Sequence, residues 1–202
     1  MLTPALFKPI KVYQLTLQHR VVLAPLTRYR ADAFHVPGPQ HASYYAQRAS
    51  TPGILLIMEA TFIPHDTGGY PHVPGIYTDA QIEAWKKVHI DSRFLSIPTC
   101  LTVRLIESGH GRRSCQRIVH VPPTLGIGSH PGGEFLQKQD PPSPFVFALS
   151  LPMPDSKLVP RALTKAEIRD YISAYANAAS SAVHRAGFDG VKIHSAGDYL
   201  PD

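Results

Sequence analysis

The sequence lacks any apolar run long enough to cross a membrane. Its longer apolar runs, such as Ile54 to Met58, are far shorter than the roughly 20 residues that a membrane-spanning helix needs. The amino terminus, MLTPALFKPIKVYQL, lacks the basic region, long apolar stretch and small-residue cleavage site of a secretory signal. We therefore expect a cytoplasmic protein that does not associate with membranes.

Cysteine is scarce as well, because Cys100 and Cys115 are the only 2 in 202 residues. They match neither a disulfide framework nor a zinc site, since both need more thiols or paired close spacings. The 11 histidines form no H-x-x-x-H pair and no tight cluster with carboxylates. We therefore expect no metal site.

The sequence also lacks a concentrated basic segment, although its net charge is +5. Lysines and arginines are scattered, apart from the group Arg112, Arg113 and Arg117. Nucleic-acid binding needs a clustered basic face, so we expect no nucleic-acid partner. With 44% hydrophobic and 17% charged residues, the chain has the composition of one ordinary globular domain.

Short apolar strands alternate with helix-like segments from Leu6 to about Val88. This alternation is typical of βα units in a parallel sheet. The runs Arg20–Ala24 and Ile54–Glu59 predict two buried parallel strands. A helix is predicted at Gln40–Ala49, between them.

Two further helices are predicted from their amino-terminal capping boxes. The first begins at Thr78, with Gln81 as the other half of its box, and its predicted buried face comprises Ile82, Trp85 and Val88. The second begins at Thr164, with Glu167, and ends at Gly187. Its predicted apolar face comprises Ile168, Tyr171, Ile172, Tyr175, Ala179, Ala182 and Val183.

The periodicity fails between about Ile90 and Ser150, where prolines pair and glycines cluster. A structureless connection of this length is unusual inside a compact domain. A loop or disordered insertion would explain the composition. We favour a shifted reading frame or a mis-spliced exon as its origin.

Polar residues follow two predicted strands, Ala24–Arg28 after the first and His194–Tyr199 after the strand Val191–Ile193. In α/β barrels the carboxyl ends of the strands form the catalytic face. Here the sequence resembles the old yellow enzyme family of FMN-dependent NADPH oxidoreductases, most of all its fungal members. The matching segments include RVVLAPLTRYRA (20–31), YYAQRAS (44–50), GILLIMEATFI (53–63), GGYPHVPGIYTDAQIEAWKKV (68–88) and AGFDGVKIHSAGDYL (186–200).

The resemblance implies a partial (β/α)8 TIM barrel, with roughly the first four βα units, as one incomplete FMN-binding domain over residues 1–202. It also implies FMN as cofactor and NADPH as its reductant. The implied reaction passes hydride to the β-carbon of a small-molecule enal or enone. The resemblance extends to the branch that reduces chanoclavine aldehyde in fungal ergot-alkaloid biosynthesis.

The same resemblance assigns flavin contacts to the strand ends. It implies that Pro25 and Leu26 contact FMN through their backbone, and that Thr27 hydrogen-bonds the carbonyl region of the ring. Ala60 matches a small residue whose backbone faces the flavin. Without the resemblance, Thr27 would be a strand cap and Ala60 a residue of strand packing.

Catalytic roles are implied after the last predicted strand. His194 would hold the substrate carbonyl oxygen, and Tyr199 would protonate the α-carbon as general acid. Gly197 stands where the family has the Asn or His that completes the pair with His194, and Asp198 replaces a family Gly. A carboxylate beside a developing enolate opposes the charge that the site must stabilise.

Further departures favour a truncated and inactive relative. Pro98 and Cys100 occupy the places where the family's third strand supplies a flavin-binding Gln and a pocket residue. The loops that bind cofactor phosphate follow strands seven and eight of such barrels, and no residue here replaces them. Two alternatives are an active oxidoreductase completed by a second chain, and a non-catalytic fragment that binds an intact homologue.

Overall fold

The computed structural model describes residues 4–12, 15–50, 53–63, 71–93, 99–103, 146–147 and 161–193. A single 3-10 turn (Ala5–Phe7) precedes two short antiparallel strands, β1 (Ile10–Val12) and β2 (Leu15–Leu17). This pair was not predicted from the sequence. The Arg20 N–H, shortly before the next strand, donates to the carbonyl of Leu6 in the 3-10 turn at 2.8 Å.

A four-stranded parallel sheet forms the centre of the fold. Its strands are β3 (Val22–Leu23), β4 (Leu55–Ile57), β5 (Thr99–Val103) and β8 (Gly190–Ile193), paired in that order. The alternation of strands and helices therefore produces the predicted parallel α/β arrangement. Among the described strands β3 and β8 form the two edges, so this part of the sheet is open rather than closed into a barrel.

In the described part of the chain, three helices accompany the sheet: α1 (Pro39–Arg48), α2 (Asp79–Arg93) and α3 (Lys165–Ser180), which continues as a π-helical turn (Ser181–Ala186). Both predicted capping boxes are confirmed. The Thr78 N–H donates to Gln81 Oε1 at 3.1 Å, and the Thr164 N–H donates to Glu167 Oε2 at 2.7 Å. Gly187 ends the π-helical turn after α3, as predicted, with a φ of 89° in the left-handed region that glycine favours.

The core lies where the sheet meets α1, α2 and the turn after α3. Trp85 is its centre, because it has no exposed surface and its indole N–H donates to the Gly75 carbonyl at 3.0 Å. The ring of Phe188 lies 5.9 Å from that of Trp85. The predicted inner face of α2 is confirmed, since Ile82, Trp85 and Val88 are all buried.

Two sequence predictions of burial are wrong in part. The first predicted strand is only two residues long, and Val22 is 41% exposed because β3 is an edge strand. On α3, Ile168 and Ile172 are exposed, whereas Ala178 near its end and Ala182 in the following π-helical turn are buried. Small alanines let the helix approach the sheet closely, and the larger isoleucines project from another face.

The predicted irregular stretch from 90 to 150 contains strands. β5 occupies a central position, with Cys100 opposite Ile57 on one side and Gly190 on the other. β6 (Val146–Phe147) pairs in parallel with β7 (Arg161–Ala162). The prediction that periodicity fails throughout is therefore wrong for these strands, where β-branched threonine and valine favour extended backbone. The other residues between 104 and 150 lie outside the described part.

Candidate active site

Parallel pairing brings two predicted site segments together. Leu23 on β3 lies opposite Leu56 on β4, and Thr27 and Ala60 each come four residues beyond that pair. The carboxyl ends of parallel strands share one edge of a sheet, which is where α/β proteins bind ligands. β8 ends at this same edge. His194 and Tyr199, which follow it, lie outside the described residues.

The loop after β3 presents apolar and polar surface next to each other. Leu26 is 55% exposed, and its neighbours Pro25 and Thr27 are half-buried. The Leu26 N–H donates to the Ala24 carbonyl at 2.9 Å, which closes a tight local turn. This loop therefore offers an accessible surface at the edge of the sheet.

The backbone of this loop is fixed by three neighbouring parts of the chain. The bonds run from the Arg28 N–H to Glu59 Oε2 at 2.8 Å, from the Gln40 amide to the Arg30 carbonyl at 2.6 Å, and from the Ala31 N–H to the His72 carbonyl at 3.0 Å. Two residues of this stretch are thus fixed by side chains that lie beyond it in sequence. The loop conformation depends on them as well as on its own turn.

Ala60 has a different environment from Thr27. It has no exposed surface and packs in a small apolar cluster with Phe62 and Val73. The Phe62 N–H donates to the Pro74 carbonyl at 2.8 Å, which holds this cluster together. The packing role that the sequence left open for Ala60 is therefore present in the structure.

Glu59, between β4 and Ala60, is a buried acid that sequence reasoning missed. Its side chain has no exposed surface. Glu59 Oε1 accepts from the Tyr45 O–H at 3.3 Å, and the Tyr45 oxygen accepts from the Glu59 N–H at 2.9 Å. His41 Nε2 lies 3.6 Å from Oε1, beyond hydrogen-bond distance, and His41 is 2% exposed. The sequence signal that could have identified Glu59 is its position as an acidic residue directly after the apolar run ILLIM.

Burial controls the charge of this group. It raises the pKa of Glu59 to about 7, although the Arg28 N–H, the Tyr45 O–H and the Arg28 charge oppose the rise. Burial also lowers the pKa of His41, and it raises the pKa of Tyr45 well above its usual value. At pH 7, His41 and Tyr45 are therefore neutral, while Glu59 is divided between its acid and its carboxylate.

A pocket of about 350 Å³ adjoins this acid. It is lined by Arg28, Arg30, Gln40, His41, Tyr44 and Glu59. The guanidinium carbons of Arg28 and Arg48 lie 4.9 and 3.4 Å from the centre of the Tyr44 ring, within cation–π range. The pocket thus combines cationic and aromatic groups outside with a titratable acid inside.

The chain matches the NADH:flavin oxidoreductase / NADH oxidase family over residues 5–97 and 115–202, and it belongs to this family. The match confirms the resemblance to FMN-dependent old yellow enzymes. It also includes most of the stretch from 90 to 150, and only residues 98–114 interrupt it. The part that departs from the family is therefore shorter than the sequence alone indicated.

Similarity to individual proteins supports the same family assignment. The chain is 42% identical to chanoclavine-I aldehyde reductase fgaOx3 of Penicillium roqueforti, over 98% of this chain and 47% of the relative. It is 35% identical to the protein named probable inactive reductase easA of Epichloe festucae var. lolii, over 100% of this chain and 47% of the relative. The old yellow enzyme of Trypanosoma cruzi is similar in structure, with a TM-score of 0.74 and 31% identity over 98% of this chain and 52% of that one. The chain spans about half the length of the curated relatives it matches.

The described residues contain no group of three or more His, Cys, Asp or Glu side chains arranged to hold a metal ion. In the same part of the chain, no helix has the length and apolar character needed to span a membrane.

Proposed function

We propose that this chain forms the first four βα units of an FMN-dependent NADPH oxidoreductase barrel, as one incomplete domain over residues 1–202. In this proposal it keeps the surface that contacts the flavin ring but does not turn over substrate by itself. The observation that carries the proposal is that Thr27 and Ala60 each follow, by four residues, the paired Leu23 and Leu56 of adjacent parallel strands, at the carboxyl end of the sheet where such proteins bind ligands.

The loop after β3 fits a flavin ring. The exposed Leu26 supplies apolar surface for a planar ring, and Thr27 supplies a hydroxyl that can hydrogen-bond a ring carbonyl. Pro25 has no backbone N–H that would need a partner, and its ring restricts the backbone conformation where the loop begins. Ala60 is buried, so we place it behind this surface, and its contact with the flavin stays a prediction.

The proposed lack of turnover rests on residues in the chain. Gly197 cannot supply the second donor to the substrate oxygen, and losing one such donor typically lowers the rate by roughly 10² to 10³. Asp198 adds a negative charge where negative charge must develop. Pro98, at the place of the family's Gln, has no side-chain amide to offer the flavin, and Cys100, on the central strand β5, stands where the family has a pocket residue.

For the whole protein, we propose a small-molecule enal or enone as substrate and the cytoplasm as its location, with no nucleic-acid or membrane partner. The similarity to a chanoclavine-I aldehyde reductase supports an aldehyde of fungal alkaloid metabolism. His194 and Tyr199 would be the groups that bind the substrate oxygen and donate the proton.

One observation favours a second candidate, an active oxidoreductase completed by another chain. The edges of the described sheet expose apolar side chains, with Val22 on β3 41% exposed and Ile193 on β8 49% exposed. Unpaired parallel edges of this kind invite a further strand.

The experiment combines the purified 202-residue chain with FMN, NADPH and cinnamaldehyde as the unsaturated aldehyde. We expect a shifted flavin absorption spectrum and no aldehyde reduction above that given by free FMN with NADPH. Turnover above this control would overturn the proposed inactivity and favour the completed enzyme. An unchanged spectrum together with tight binding to an intact homologue would favour the interaction fragment instead.

A further inference from the structure

The position of the loop that carries Pro25, Leu26 and Thr27 depends on a hydrogen bond between its backbone and a buried carboxyl group. β3 contributes only two residues to the sheet, so its ladder holds the start of the loop weakly. The residue directly after Thr27 is Arg28, and its N–H donates to Glu59 Oε2 at 2.8 Å. The position of Thr27 is therefore tied to a carboxyl group of the neighbouring strand.

Glu59 is itself held firmly. Its backbone N–H donates to the Tyr45 hydroxyl oxygen, and its Oε1 accepts from the Tyr45 O–H, so the segment after β4 is cross-linked to α1 at this point. A carboxyl group with no exposed surface has few rotamers available, and its second oxygen is directed at the loop. The cross-link thus transmits the position of α1 and β4 to Arg28.

Among the described residues, titratable and charged groups near Glu59 come from the loop after β3 and from α1, with Arg30 and Tyr44 lining the pocket beside it. Arg28 comes from the loop, and His41 and Tyr45 come from α1. Trp85 of α2 lies behind the two α1 side chains and does not titrate. Because burial keeps His41 and Tyr45 neutral near pH 7, Glu59 is the group in this cluster that changes charge there.

We propose that Glu59 is a positioning residue for the flavin-contacting loop, acting through the Arg28 backbone and supported by Tyr45. The inference rests on the proposed flavin site. The ionised carboxylate accepts a charge-assisted bond from Arg28, whereas the protonated acid accepts a weaker one. The loop is therefore held more firmly when Glu59 is ionised, and flavin-ring affinity rises with pH around neutrality.

The alternative is a purely structural role, in which Glu59 holds α1 against β4 and has no effect on flavin binding. A purely structural cross-link would affect the loop equally at every pH, or not at all. The test therefore compares variants at two pH values, 5.5 and 8. Glu59→Gln keeps the shape of the side chain and stays neutral, so it mimics the protonated acid throughout.

The first measurement is hydrogen exchange of residues 24–31 in the full chain, without flavin. We expect these amides to exchange roughly fivefold faster in Glu59→Gln than in wild type at pH 8, and equally fast at pH 5.5. Comparison at one pH removes the intrinsic pH dependence of exchange. Equal exchange at pH 8, or the same difference at both values, would overturn the proposal.

The second measurement is riboflavin affinity across the same range. Riboflavin is used beside FMN because a phosphate group titrates near pH 6 and would obscure the result. We expect wild-type affinity to rise roughly fivefold with a midpoint near pH 7, and Glu59→Gln to stay flat. Tyr45→Phe removes a hydrogen bond that lowers the pKa of Glu59, so its midpoint moves to higher pH. A wild-type profile as flat as that of Glu59→Gln would overturn the proposal.

Glu83→Gln is the matched control, because Glu83 is an exposed acid on α2, paired with Lys86 three residues away at 3.8 Å. It should match wild type in both measurements. If no variant binds riboflavin or FMN, the proposed flavin function fails. The exchange measurement then still decides whether Glu59 positions the loop.

Discussion

Replacing Glu59 by Gln should change how the stability of the protein depends on pH. The pKa of Glu59 is raised to about 7 by burial, from an ordinary value of 4.5. The folded protein therefore holds the Glu59 proton more tightly than the unfolded chain between these two values. Its free energy of unfolding falls as pH rises from about 4.5 through about 7, because a buried acid must ionise.

The size of this effect follows from the pKa change. Each pKa unit corresponds to 1.36 kcal/mol, so complete ionisation of Glu59 costs roughly 3 kcal/mol of folding stability. Glu59→Gln carries no charge and escapes this loss. Relative to wild type, the variant should gain roughly 3 kcal/mol between pH 4.5 and pH 8.

Trp85 provides the assay. It is the single tryptophan and is fully buried, so its fluorescence reports loss of the core during urea unfolding. Both proteins contain His41, whose own titration is common to the two curves and largely cancels in their difference. Glu83→Gln serves as the control and should follow wild type. Parallel stability curves for wild type and Glu59→Gln across this pH range would refute the reasoning.

Two further predictions concern the helix ends. Thr164→Ala removes the hydroxyl that accepts from the Glu167 N–H at 3.2 Å, and it should lower stability by about 1 kcal/mol in thermal unfolding followed by circular dichroism; an unchanged midpoint would refute the cap. Gly187→Ala places a Cβ 3.1 Å from the His89 ring at a φ of 89°, so it should destabilise by about 1 kcal/mol or more in urea, whereas Gly190→Ala, with open space around its Cβ, should be close to neutral. Equal effects of the two glycine changes would contradict the strain argument.

Local signals predicted the helices and the parallel strands β3, β4 and β8. The Thr–Glu and Thr–Gln capping pairs act over three residues, so they locate helix starts without knowledge of the fold. The parallel pairing of β3 with β4 likewise followed from two short apolar runs separated by a helix. Features that depend on such short-range contacts were within reach of the sequence.

Features that depend on where an element lies in the folded protein could not be predicted from the sequence. Nothing local indicates that β3 is an edge strand, which is why the burial of Val22 was overestimated. β5 was missed because Pro98 directly precedes it and because the proline pairs and clustered glycines further along made the stretch from 90 to 150 look irregular. Cys100, which the resemblance placed on the third strand, does lie on β5. The hydrogen bond between Glu59 and Arg28 joins residues 31 apart, so only the fold reveals that an acid of one strand holds the loop of the next.

The most direct test of the proposed flavin site is calorimetric titration of FMN into wild type and Thr27→Val. Valine keeps the shape of threonine but removes the hydroxyl that would bond the ring. We predict saturable FMN binding by wild type, affinity lower by roughly fivefold in Thr27→Val, and no change in the control Thr16→Val, at an exposed residue of β2. Equal affinity of wild type and Thr27→Val, or no saturable binding by wild type, would contradict the account.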